Sequence, residues 1–229
     1  IFRLKMKDFC NISEIYKNNI ELFKDLESLL TSKKFPCLFA MNSFHKNHMY
    51  VYDASNLEER EYSKIYNQLS NFSKYIKKYN KEKNFYTIIL VIKGPQETSP
   101  EFLKDFIFSF LIKLKEYDST NETITKNDIL KNNFQFSLDS DIWFPVFLCP
   151  EHISTIRRAN ISIIAFQPNQ TFDLLKQHPN NFYEKTRKAT HNRIDKIYNF
   201  KRPFFLSEKS SGINAIQYLG FDPIHPNES

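Results

Sequence analysis

Residues 85–92, Phe-Tyr-Thr-Ile-Ile-Leu-Val-Ile, carry apolar or β-branched side chains at both alternating positions and stop at Gly94-Pro95. A strand of this kind has no face to give to water, so it belongs in the middle of a sheet with packed material on both sides. The segments around it supply that material. Ile65, Leu69, Phe72 and Ile76 follow at i, i+4, i+7 and i+11, the stripe of an amphipathic helix. A second stripe runs through Ile12, Ile15, Tyr16, Ile20, Phe23, Leu26 and Leu30, before a break at Lys33-Lys34-Phe35-Pro36. Ser99-Pro100 predicts an N-cap with proline at the first helical position, opening a helix through Phe102, Phe106, Phe110 and Leu114.

Further strands are expected at 49–53, 142–148 and 161–167, and further helices at 172–177 and 182–198. Residues 118–128 are polar and predict a surface loop. No internal repeat or composition shift divides the chain. The expected fold is therefore α+β, one domain over 1–229, with a mixed or antiparallel central sheet flanked by helices. The Pro- and Ser-rich tail from residue 201 onward is expected to be irregular.

Only three glycines, Gly94, Gly212 and Gly220, are present, and they fit turns. A glycine-rich phosphate loop cannot be built from them, which removes P-loop and dinucleotide-fold enzymes. No Ser-His-Asp order, nucleophile elbow or paired carboxylates stand out, so hydrolase chemistry has no support. The net charge of +6 raises a nucleic-acid partner, but the lysines are scattered rather than clustered, and that reading is the less supported one. Cys10, Cys37 and Cys149 are odd in number and far apart, which fits free thiols in a reducing cytoplasm. No apolar run approaches the ~20 residues of a membrane span, so no membrane partner is expected.

The densest chemistry lies in Leu148-Cys149-Pro150-Glu151-His152, followed by Arg157-Arg158. A soft ligand, an imidazole, two fixed cations and the flat surface of Trp143 and Phe166 suit a buried anionic, aromatic cofactor such as haem. His152 could coordinate iron through a ring nitrogen, or simply cap a turn. Arg157 and Arg158 could pair with carboxylates bidentately, or belong to a solvated turn. Cys149 is a rival iron ligand, or a small buried hydrophobe. Cys37 reads equally as core packing. His45 and His48 are spaced HxxH without a third ligand, and His178, His191 and His225 lie among polar residues and read as exposed.

Several segments together resemble the YqcI/YcgG family, whose members include haem-dependent N-hydroxylases of guanidino compounds. An early Pro-Cys before a small apolar segment is matched by Phe35-Pro36-Cys37-Leu38-Phe39-Ala40. A tryptophan-containing strand leading into Pro-x-His and an arginine-rich turn is matched from Trp143 through Pro150-Glu151-His152 to Arg157-Arg158. Phe166-Gln167-Pro168 with Phe172, then Arg193 with Tyr198, then Gly212 through Asn214 to Gln217-Tyr218 follow in the family's order. The resemblance covers residues 35–222. The chain departs from the pattern at Glu151, where the family has a small residue, and at Ala215 and Ile216, where it has an aromatic; glycines common before the Pro-His segment are also missing.

The resemblance implies haem b as cofactor, His152 as the iron ligand, and Arg157 or Arg158 on a propionate, with Cys149, Trp143 and Phe166 also around the porphyrin. It implies hydroxylation of a nitrogen of a guanidino or amino substrate such as arginine, using O2 or peroxide. The electron donor is not specified, and a homodimer is compatible with it. Glu151 is the nominee for contacting the cationic substrate. A non-catalytic haem-binding or sensing module would use the same ligand without turnover.

Overall fold

The structure is a computed structural model that describes residues 10–224 except 56, 81–83, 96 and 204–213. In chain order the elements are β1 (Cys10–Asn11), α1 (Ile12–Asn18), α2 (Ile20–Thr31), α3 (Leu38–His45), β2 (Met49–Ala54), α4 (Glu59–Tyr79), β3 (Thr87–Ile92) and α5 (Pro100–Lys115). There follow α6 (Lys126–Ile129), β4 (Ser137–Leu138), β5 (Asp141–Leu148), β6 (Ile163–Pro168), α7 (Asn169–Lys176), α8 (Phe182–Ile197) and α9 (Asn214–Leu219). One mixed sheet runs β1-β2-β3-β6-β5-β4. β2 and β3 are parallel, joined through α4, and the other pairings are antiparallel. The α+β single domain expected from the sequence is what forms.

The doubly apolar β3 takes an interior place between β2 and β6. Its even residues Ile88, Leu90 and Ile92 join α4, α5 and α9 in one apolar layer, against Ile65, Leu69, Phe72, Leu111 and Tyr218. Ile89 faces the opposite way, toward α1, α2 and α3, among Leu26, Leu30, Ala40 and Phe44. The parity rule applies to its neighbours too: Phe147 and Phe166 go to the first layer, and Val146, Leu148, Ile163 and Ala165 to the second. β4 pairs only with Asp141 and Ile142, so β5 beyond them is an edge. Pro145, which cannot donate a ladder hydrogen bond, is tolerated there.

Some expectations need correction. The first helical stripe is broken at Asn19, which caps α2 by accepting the Leu22 N–H. In α5 Phe110 and Leu114 are buried and Phe106 half-buried as expected, but Phe102 is exposed, and Leu103, Ile107 and Leu111 complete the buried face. Ser99 holds the N-cap position without a side-chain cap bond. The polar 118–128 segment is anchored at its start, because buried Asp118 pairs with buried Lys115. Within the tail, Asn214–Leu219 forms a helix whose Ala215, Ile216, Tyr218 and Leu219 are buried. Residues 201–203 and 220–224 are irregular as expected, while 204–213, which include Gly212, and 225–229 lie outside those described.

Leu90 is fully buried between the central strand and the α4–α5 layer. Leu90→Ala should lower stability by roughly 2–5 kcal/mol through lost burial and a residual cavity. Chemical denaturation checks this, and a loss below about 1 kcal/mol would contradict the two-sided packing of β3.

Candidate functional site

Between β5 and β6 the chain leaves the sheet at Leu148 and returns at Ile163. The excursion is closed at its neck, where Cys149 N–H donates to the Arg157 carbonyl and Ala159 N–H to the Cys149 carbonyl, both at 3.2 Å. Inside the loop Glu151 adopts a left-handed φ of 57°, and Thr155–Arg157 makes one 3-10 turn rather than an α-helix.

His152 is fully buried within this loop. Its Nδ1 accepts the Ser154 N–H at 3.0 Å, which puts the ring proton on Nε2, and Nε2–H donates to the Leu219 carbonyl at 2.9 Å. Both ring nitrogens are therefore engaged, and the imidazole lies against Phe147 and Phe221. Burial, with the Arg157 and Arg158 charges as smaller causes, depresses its pKa to about 3. This geometry is that of a neutral strut tying the loop to α9, and an iron could reach Nε2 only by displacing the Leu219 carbonyl.

An apolar cavity lies on the other face of the sheet. It has a volume of about 240 Å³ and is floored by Ile89, Val146, Ile163 and Ala165, with α2, α3 and α8 over it. Cys37, Thr87, Arg157, Gln167, His191 and Gln217 supply its polar groups, and no Asp or Glu lines it among the described residues. Ile89, Ala165 and Val146 stand in register across three strands, which makes the floor flat and apolar.

Cys37 is the N-cap of α3, the residue after Pro36. Two contacts from α8 fix its neighbours: Arg193 Nη2 donates to the Phe35 carbonyl at 3.0 Å, and Thr190 Oγ1 accepts the Leu38 N–H at 3.3 Å. Burial raises the Cys37 thiol pKa, while the N–H groups of Ala40 and Phe39 and the charge of Arg157 act to lower it.

Arg157 enters the cavity from the 3-10 turn. Its Nη2 donates to the Gln217 carbonyl at 2.8 Å, and its buried Nε has no partner. Burial pushes its pKa down to about 10, so it remains a cation at neutral pH, facing no carboxylate among the described residues. Gly220 makes room for it: φ there is +79°, and a Cβ would sit 2.7 Å from Arg157 Cγ. Thr87, fully buried, also has an unpartnered hydroxyl.

Of the residues nominated to hold the cofactor or substrate (Trp143, Cys149, Glu151, His152, Arg157, Arg158 and Phe166), only Arg157 lines this cavity. Trp143, Cys149 and Phe166 face the opposite layer, because sheet parity sends them there. Burial there pushes the Cys149 thiol up to about 12. Arg158 is exposed, with Nε donating to the His152 carbonyl at 2.8 Å. Glu151 is exposed on the turn and lines neither this cavity nor the pocket beside Arg158. His191, read as exposed, is half-buried in the cavity wall. The signal for Cys37 was the Pro-Cys segment, and Thr87, Gln167 and Gln217 carried no signal beyond their places in strands or motifs. Among the described residues no three His, Cys, Asp or Glu side chains cluster as a metal site, and no helix is long and apolar enough to cross a membrane.

The YqcI/YcgG family model matches residues 26–222. No curated protein and no solved structure matches the chain.

The His152 strut carries a pH signature. Between its folded pKa of about 3 and an unfolded value near 6.5, the unfolded chain binds one more proton than the folded one. This imidazole therefore costs no stability above pH 6.5 and up to about 1.4 kcal/mol per pH unit as pH falls below it. His152→Gln should remove that part of the slope. Urea titrations of both proteins at pH 7, 5.5 and 4.5 check this, and parallel losses in the two would refute the neutral strut.

Proposed function

The chain belongs to the YqcI/YcgG family, and on that premise we propose that it is a haem-dependent oxygenase hydroxylating a nitrogen of a guanidino or amino compound. One conjunction carries the reading: a cysteine and an arginine share an apolar cavity that no Asp or Glu lines among the described residues. Haem is an apolar disc with an anionic edge and an iron that accepts a soft donor, so the donor set fits it. At about 240 Å³ the cavity is below the roughly 300–1,000 Å³ of small-molecule sites. Admitting a whole tetrapyrrole therefore requires the helices over the floor to move outward.

Haem bound there would supply the activation of O2 or peroxide that no side chain in the cavity can provide. Cys37, rather than His152 or Cys149, is the donor in this reading, since it lines the cavity, and the N–H groups of Ala40 and Phe39 offset part of the burial that raises its pKa. Arg157 would hold a propionate through its free Nε–H. Ile89, Val146 and Ala165 keep water from the floor. Arg193 and Thr190 are positioning residues, holding the Pro36-Cys37 segment against α8. The three free cysteines fit a reducing cytoplasm, where we assign the protein.

Protein purified from haem-supplemented cells should show a Soret band. Cys37→Ala should abolish or strongly shift it, whereas Cys149→Ala should leave its position unchanged. Arg157→Leu should weaken haem retention by about tenfold without moving the band, the loss of one charge-assisted pair. A colourless wild-type protein would reject the reading. A red protein that gives no hydroxylated product with arginine and peroxide, or with O2 and a reductant, would be the non-catalytic module instead.

A further inference from the structure

A second pocket, of about 330 Å³, lies beyond Phe144. Phe144 lines both hollows and is the one residue they share among those described. Its ring packs edge-on against Tyr218 at 5.5 Å. The walls come from β5 at Trp143, from α9 at Asn214 and Tyr218, and from one face of α7. Asn169, Phe172 and Lys176 stand at i, i+3 and i+7 on that helix, so they share its face.

Two features of this pocket lack an acceptor, and a third adds positive charge. Trp143 is 1% exposed and its indole N–H has no partner; an indole N–H can only donate. The eight-residue α7 begins at Asn169, after Pro168, with no side-chain cap and no acidic residue in its first turn. Its free N–H groups and positive dipole end therefore lack a compensating anion. Lys176 adds a cation on the same face, shared with Asp173 at 2.9 Å. Among the described residues no Asp or Glu lines the pocket, and Gln135, Asn169 and Asn214 offer neutral carboxamides.

We propose that this second pocket is a carboxylate-binding site for an amino-acid-sized molecule. The carboxylate lies by Trp143 Nε1, the start of α7 and Lys176, and the opposite end of the ligand lies toward Phe144 and the main cavity. That the ligand is the substrate, presenting its nitrogen past Phe144, rests on the oxygenase reading; the carboxylate site itself does not.

Trp143 is the chain's single tryptophan, so intrinsic fluorescence reports on this pocket. The full-length protein, as purified, is titrated with arginine, with agmatine (the same skeleton without the carboxylate) and with inorganic phosphate, and calorimetry reads each affinity. Arginine should bind saturably with a fluorescence change, and agmatine and phosphate at least about tenfold more weakly, the worth of one charge-assisted contact. Lys176→Met should lower the arginine affinity about tenfold and leave agmatine unchanged. Equal binding of arginine and agmatine, a preference for phosphate, or arginine binding without a fluorescence change would overturn the proposal. A colourless protein that still selects arginine over agmatine would remove the oxygenase reading and leave this site standing. A red protein without that selection would do the reverse.

Discussion

Alternation along β3, β5 and β6 decides what every other part of the molecule can do. Successive side chains leave a strand on opposite faces, so each of these strands contributes to two environments at once. Leu90, Phe147 and Phe166 enter a sealed layer under α4 and α5. Ile89, Val146 and Ala165 face the cavity under α2, α3 and α8. A one-residue shift in register would exchange the two sets, delivering bulky aromatics to the cavity floor and leaving small residues to fill the core. The cavity is thus a consequence of the same pairing that forms the core.

The excursion between β5 and β6 is fastened to the C-terminal helix by two side chains of different character. His152 Nε2–H reaches the Leu219 carbonyl, and Arg157 Nη2–H reaches the Gln217 carbonyl. Both are donors to backbone groups near the end of α9, where a helix leaves its last carbonyls unsatisfied. His152 serves that end as a neutral donor sealed in apolar surroundings. Arg157 does so with one arm, leaving Nε without a partner. Arg157 is half-buried and no carboxylate among the described residues lines its cavity, so the arrangement favours an anionic occupant. Gly220, by omitting a side chain, allows the arginine to pass.

Much of the fold was legible because periodicity reports burial directly. The two-sided run at 85–92 gave an interior strand, and the stripe through Ile65 and Ile76 gave α4. Short elements such as β1, β4 and α9 carry too few residues to establish a period, and pairing or capping contacts far along the chain decide them. The site was legible only in part. Proximity in sequence suggested that Trp143, Cys149, His152 and Phe166 act together with Arg157, but the sheet puts Trp143, Cys149 and Phe166 on the opposite layer from the cavity. Cys37 is 120 residues from Arg157 along the chain (157 − 37), and only the meeting of the start of α3 with the β5–β6 excursion at one cavity makes them neighbours. No local pattern encodes that distance.

Charge then constrains how the two hollows can be used. A guanidinium ligand inside the main cavity would meet Arg157, a like charge in a poorly solvated site, with no carboxylate among the described residues of its walls to offset it. An anionic group meets the opposite situation in either hollow, because Arg157 serves one and Lys176 with the start of α7 serves the other. A molecule with a carboxylate at one end and a cationic nitrogen at the other is therefore best held by its carboxylate outside the main cavity, with the cation kept at the Phe144 boundary. The partition by Phe144 lets one sheet edge accommodate two anions that would otherwise compete for a single cation.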